Sequence, residues 1–318
     1  MKGLELAEKY YEEYGRDMIA AIAPEAEKRI AVGLVGEGSQ CFGFDDEISQ
    51  DHDFAPGFCL WLEEEDFARY GQALADGYDK LPADYLGFHR SNLQIRDRMG
   101  VKTIHHFYQQ FTGCGEAPQT NMDWLLIPEN YLATATNGRV FRDDSGHFSS
   151  IRKKLLDFYP EDVLRKKITA RAAILSQAGQ YNLLRVIRRH DKTAAMLASA
   201  RFCEAALSMI YLLNRSYMPF YKWAYRGLER LTLLQDTGKQ LEDLVRVNAL
   251  LSRDQFESAY EKAFAITETV CQAIASELNR QGLSSIHSAF LQDHLSSIME
   301  GIQDPQLSAM DYLADCSN

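Results

Sequence analysis

The sequence predicts an α/β layer followed by an all-helical domain, and three observations carry that prediction. Up to about Gly146, short β-type runs alternate with helical stretches, broken by glycine and proline. Beyond Gly146 the β signals stop and one helical period follows another. At 318 residues the chain is also about twice an ordinary domain length. The expected division is residues 1–146 for the mixed domain and 147–318 for a helical bundle.

In the first half, Leu6, Tyr10, Tyr14, Met18 and Ile22 recur every fourth residue, one apolar helical face that ends near Pro24. Arg29 to Val35 reads as a buried strand entering the turn Gly36-Glu37-Gly38-Ser39. A second strand is expected over Asp51 to Leu62, bulged or placed at an edge by Pro56-Gly57. Val101 to His105, Met122 to Ile127 and Arg139 to Phe141 are further strand candidates. Helices are expected over Glu64 to Ala75, Ile104 to Phe111 and Glu129 to Ala135. The second half reads as helices over Ser149 to Phe158, Pro160 to Gln177, Thr193 to Asn214, Pro219 to Leu234, Lys239 to Leu251, Arg253 to Arg280 and Ser284 to Gly301. Ser252 with Gln255 suggests a capping box, and Gly282 and Pro305 mark helix ends.

Composition narrows the function classes. Hydrophobic residues at 46% and charged residues at 25% supply an ordinary globular core. Against 34 basic residues stand 45 acidic ones, a net charge of −11, which disfavours nucleic-acid coating. The six cysteines form no CxxC pair, which argues against structural zinc and suits reduced thiols in a cytosol. Met1 to Glu5 opens no apolar signal segment, and no apolar run of about 18 residues is visible. The expectation is a cytoplasmic protein with no membrane partner.

One constellation carries chemistry. Gly36-Glu37-Gly38-Ser39 is followed after eleven residues by Asp51-His52-Asp53. An acid-x-acid pair alone means little, since roughly six would arise by chance at this acidity. The order is the signal: buried strand, glycine turn, spacer, then two aspartates entering a second strand. On an extended strand Asp51 and Asp53 share a side while His52 faces away. Two convergent carboxylates make an oxygen-rich site of the kind Mg²⁺ prefers. The glycines let backbone N–H groups approach a phosphate, and Ser39 adds a hydroxyl. His105-His106, adjacent on an expected strand, point apart and do not pair as ligands. His287 and His294, seven apart, share a helical face but sit two turns from each other. No G-x-S-x-G elbow or P-loop is present.

These residues resemble the signature of the DNA polymerase β-like nucleotidyltransferase superfamily: Gly38-Ser39, a spacer, then Asp51-x-Asp53. The helical second half is similar to the two-domain antibiotic (aminoglycoside-type) members, in which a helical domain forms the other wall of the cleft. The whole chain also resembles a bacterial family of unknown function with the same turn, Asp-His-Asp and Tyr217-x-Pro219-x-x-Lys222-Trp223 run. The resemblance implies a nucleotidyltransferase-type mixed sheet, with Asp51, Asp53 and a third acid holding Mg²⁺. Asp123 is the choice for that acid, with Asp143 or Glu116 as alternatives. It implies that Gly38 and Ser39 hold the β/γ-phosphates and that Lys222 and Arg185 reach phosphate from the helical wall. The implied reaction moves a nucleoside monophosphate, AMP foremost, from an NTP to a hydroxyl of a small-molecule acceptor and releases pyrophosphate. The rival readings are a protein AMP-transferase of antitoxin type and a non-catalytic nucleotide-binding protein of the same fold.

Overall fold

The computed structural model describes residues 1–49, 54–90, 98–249 and 256–315. The chain forms two compact units, one of Met1–Pro118 with Tyr131–Phe158, the other of Gln119–Asn130 with Tyr159–Asn318. The helix His147–Leu156 therefore belongs to the first unit, and the second begins with a short excursion at Gln119. The architecture is mixed: a small sheet with helices in the first unit, and helices in the second.

The first unit contains the strands β1 (Ala31–Leu34), β2 (Cys59–Leu62), β3 (Asp84–Tyr85), β4 (Phe88–His89), β5 (Gly100–Thr103) and β6 (Arg139–Arg142). The four-stranded sheet runs β5-β2-β1-β6, and β3 with β4 makes a separate hairpin. β1 is antiparallel to both β2 and β6, while β2 and β5 are parallel. Register decides what meets. Gly33 pairs with Cys59, Cys59 with Gly100, and Leu34 with Arg139. The end of β1 thus lies beside the beginnings of β2, β5 and β6, at one sheet edge. Asp143 follows Arg142, whose partner is Val32, so it leaves the sheet at the opposite edge.

β1 and β2 are buried at every position, as strands covered on both faces must be. Trp61 stacks on Phe148 with ring centroids 4.0 Å apart, and Phe107 meets both rings. Beneath the N-terminal helix, Leu6, Tyr10, Tyr11 and Ile19 join Phe58, Leu60 and Tyr78 in one cluster. That helix runs Gly3–Tyr10 and Arg16–Ile22 around a π-turn at Tyr11–Gly15. A four-residue spacing drifts about 40° per step against a 3.6-residue period, and a wider turn takes up that drift.

In the second unit, Glu161–Leu175 is buried nearly all round and packs on Lys192–Leu213. Among the described residues, Lys192–Leu213 is the one helix long and apolar enough to cross a bilayer, and burial within the fold covers 56% of that apolar window.

Several expectations change. Met122 to Ile127 is no strand: Asn121–Leu126 is a helix whose capping box joins Thr120 and Asp123. The Val101 strand ends at Thr103, whose hydroxyl caps the helix Ile104–Thr112, so His105 and His106 lie on a helix. The β2 strand spans only Cys59–Leu62, while residues 50–53, with Asp51 and Asp53, lie outside the described residues. Ser252 and Gln255 lie outside them too. Ser284 to Gly301 is not one helix: it holds a 3₁₀ turn, Leu291–His294, and the helix Leu295–Met299. His294 is buried there, bonded to Ser284 Oγ at 2.9 Å and the Ser288 carbonyl at 2.8 Å. Pro219 to Leu234 reduces to the helix Tyr221–Gly227 and a short 3₁₀ turn.

Candidate functional site

The turn after β1 needs its glycines. Gly36 and Gly38 have φ of 129° and 104°, a region closed to most side chains. Asn137, just ahead of β6, fixes the turn from across the sheet. Its Oδ1 accepts the Gly36 N–H at 2.9 Å, and its Nδ2 donates to the Gly36 carbonyl at 2.7 Å. Gly138 follows with φ of 64°, and a Cβ there would sit 2.0 Å from the Leu34 carbonyl oxygen. Its N–H bonds the Cys41 carbonyl at 2.8 Å, which ties β6 to the helix Ser39–Phe42. Ser39 opens that helix, and its carbonyl accepts the Phe44 N–H at 2.9 Å.

Both described flanks of the Asp51-x-Asp53 segment are anchored. On the turn side, buried Asp45 accepts the Gly3 N–H at 2.9 Å and bonds Lys2 through its backbone carbonyl. On the β2 side, buried Phe54 packs against Phe88 with centroids 4.9 Å apart. The Tyr78 hydroxyl closes both the N–H and the carbonyl of Phe58, each at 2.9 Å. Burial raises the Tyr78 hydroxyl well above the ordinary tyrosine value, outweighing the backbone hydrogen bond with Phe58, which lowers it.

Sequence reasoning missed Arg98. It lies just ahead of β5, at the sheet edge of the turn, and its Nη1 comes 3.9 Å from where a Cβ on Gly38 would be. Its Nε stands 3.7 Å from the Glu37 carboxylate, and its carbonyl accepts the Cys59 thiol at 3.3 Å. No periodicity signals this residue. Only the parallel pairing of β5 with β2 brings it to the turn.

The other expected site residues are divided between the two units. Asp123 is in the second unit, where its carboxylate accepts the Thr120 N–H at 2.9 Å and the Gln119 N–H at 3.3 Å. The Thr120 contacts hold its pKa below the ordinary carboxylate value. Asp143 caps the chain ahead of His147–Leu156, accepting from Gly146 N at 3.0 Å and Ser149 N at 2.7 Å. Glu116 is exposed in the first unit, and its carboxylate has no hydrogen bond or ion pair among the described residues. Arg185 stacks on Tyr181 at 3.5 Å, and Lys222 stands over Trp223 at 5.2 Å, both in the second unit. Asp191, beside Arg185 in the sequence, caps Lys192–Leu213 by accepting the Ala194 N–H at 3.0 Å.

Cys59 and Cys41 are buried next to the turn. Burial pushes the Cys59 thiol up to about 11 and raises Cys41 further, so neither is a thiolate nucleophile near neutrality. Among the described residues no three His, Cys, Asp or Glu side chains gather as a metal site.

Residues 124–224 match the model of a domain of unknown function (DUF4037). No curated protein matches the chain.

Proposed function

We propose that the chain is a Mg²⁺-dependent nucleotidyltransferase that moves a nucleoside monophosphate from an NTP, ATP foremost, to a hydroxyl of a small molecule. The observation that carries this reading is the sheet edge. There the positive-φ turn Gly36–Gly38, the start of β2 that follows Asp51 and Asp53 in sequence, and Arg98 all come together. The donor chemistry fits the metal: Asp51 and Asp53 offer carboxylate oxygens, the ligand type suited to a hard cation. Asp51 and Asp53 would hold Mg²⁺, which supplies charge neutralisation at the transferring phosphorus when bound.

The chain's own residues do the positioning. Backbone N–H groups of the turn and the Ser39 hydroxyl cradle the terminal phosphates, and the Asn137 clasp keeps that cradle from relaxing. The Arg98 guanidinium, 3.7 Å from the Glu37 carboxylate, brings positive charge to the turn where the terminal phosphates would sit. For the third acid, Glu116 keeps a free carboxylate among the described residues, whereas Asp123 and Asp143 are engaged as caps. Supplied with Mg²⁺, an NTP and a mixture of hydroxyl metabolites, the protein should transfer label from the α-phosphate and release pyrophosphate. Transfer from the γ-phosphate, or none from any NTP, contradicts the reading.

A further inference from the structure

The second unit holds a pocket of about 170 Å³ within its own residues. Its floor is a satisfied ionic cluster. Arg171 donates to Glu129 at 2.9 Å and to Ser208 Oγ at 2.6 Å, and Ser208 bonds the Glu129 carboxylate at 2.9 Å. All three side chains are buried, so the floor is rigid and already paired. The wall differs: Arg201 and Glu204, one turn apart on Lys192–Leu213, are exposed and take no ion pair or hydrogen bond among the described residues. The lining also includes two aromatics, Phe220 45% and Tyr221 70% exposed, with their rings 4.5 Å apart. All of these residues fall inside the 124–224 segment that matches the family model.

The lining's two acids and two bases leave it without net charge, so its charge balance favours neither a bare phosphate nor a metal ion over a neutral ligand. What it offers is a donor fork in Arg201, an acceptor in Glu204, and flat apolar surface. A neutral planar ring with donors and acceptors on its edge satisfies all three, and its volume suits one ring system rather than a whole nucleotide. We propose that this pocket binds a nucleobase, stacked on Tyr221 and read at its edge by Arg201 and Glu204. The choice of a nucleobase over other neutral rings rests on the nucleotidyl-transfer reading.

The test is calorimetric titration of adenosine, guanosine, cytidine and uridine in EDTA, so that neither phosphate nor metal contributes. Wild type is compared with Arg201→Gln, Glu204→Gln, Tyr221→Ala and Asp51→Asn, each checked for an unchanged ligand-free melt. At least one nucleoside should bind. The three pocket variants should each weaken it about tenfold, and Asp51→Asn should leave it unchanged. Binding that persists in all three pocket variants overturns the assignment. So does the absence of nucleoside binding in a wild type that binds Mg²⁺–NTP, which leaves the transferase reading standing. Nucleoside binding through the pocket without any nucleotidyl transfer leaves the pocket and removes the transferase.

Discussion

Asn137 and Gly36, 101 residues apart, clasp each other through two hydrogen bonds, one at 2.7 Å to the glycine carbonyl and one at 2.9 Å from its N–H. The amide side chain acts as a missing strand residue, closing both polar groups of a turn that no ladder can close. Asn137→Ala should therefore cost about 1–2 kcal/mol in urea unfolding and loosen the turn. Asn137→Asp keeps the acceptor but sets a carboxylate oxygen against the Gly36 carbonyl, so it should cost at least as much as alanine. An alanine variant within about 0.5 kcal/mol of wild type would show that the clasp does not hold the turn.

Gly138 and Gly146 provide a matched pair. Both are left-handed, with φ of 64° and 75°, but a Cβ at Gly138 would meet the Leu34 carbonyl at 2.0 Å whereas one at Gly146 meets nothing within 4 Å. Alanine at Gly146 should cost about 1 kcal/mol from backbone conformation alone. At Gly138 the cost should exceed that by about 2 kcal/mol or more, because β1 and β6 must separate. Equal losses in the two variants would refute the close approach.

These two positions show what could be read from sequence and what could not. The glycine turn, the apolar face from Leu6 to Ile22 and the helical second half follow from local spacing and backbone chemistry. The Met122–Ile127 run has the apolar content of a strand, but Thr120-x-x-Asp123 at its start forms a capping box and makes it a helix. Asp123 is therefore on a helix rather than the expected strand. The β3–β4 hairpin escaped notice because its turn places Leu86 at φ 49° ahead of Gly87, an unfavourable choice for a leucine. Arg98 was invisible for another reason: its nearness to Gly38 depends on the parallel β2–β5 pairing, a non-local fact.

Lys166 gives a pH signature. Its ammonium is buried and donates to the Tyr312 carbonyl at 3.1 Å, and burial lowers its pKa from 10.5 to about 8. Between about 8 and 10.5 the unfolded chain holds this proton and the native chain does not, so this group makes stability rise with pH across that window. Below it, the native state carries a buried charge. Lys166→Met should stabilise the protein at pH 7, by about 1 kcal/mol or more, with the gain shrinking toward pH 10. Chemical denaturation at several pH values measures this, and a pH-independent difference would contradict it.

The Arg171 cluster should respond unevenly. Glu129→Ala leaves a buried guanidinium short of one partner, although Asp315 still accepts from it at 2.8 Å, and should cost about 3 kcal/mol or more. Ser208→Ala removes a neutral bridge and should cost about 1 kcal/mol. Guanidinium unfolding of the two variants ranks them, and a reversed order would mean that Asp315 alone neutralises Arg171.

The most direct measurement is the melting temperature of wild type and Asp51→Asn across a titration of each NTP, with Mg²⁺ and with EDTA. A site built from the turn and the Asp51–Asp53 pair predicts a rise of several degrees that saturates with NTP, needs Mg²⁺ and is lost in Asp51→Asn. A wild type whose melting is unmoved by every Mg²⁺–NTP, or a shift equally large in the variant, would contradict it.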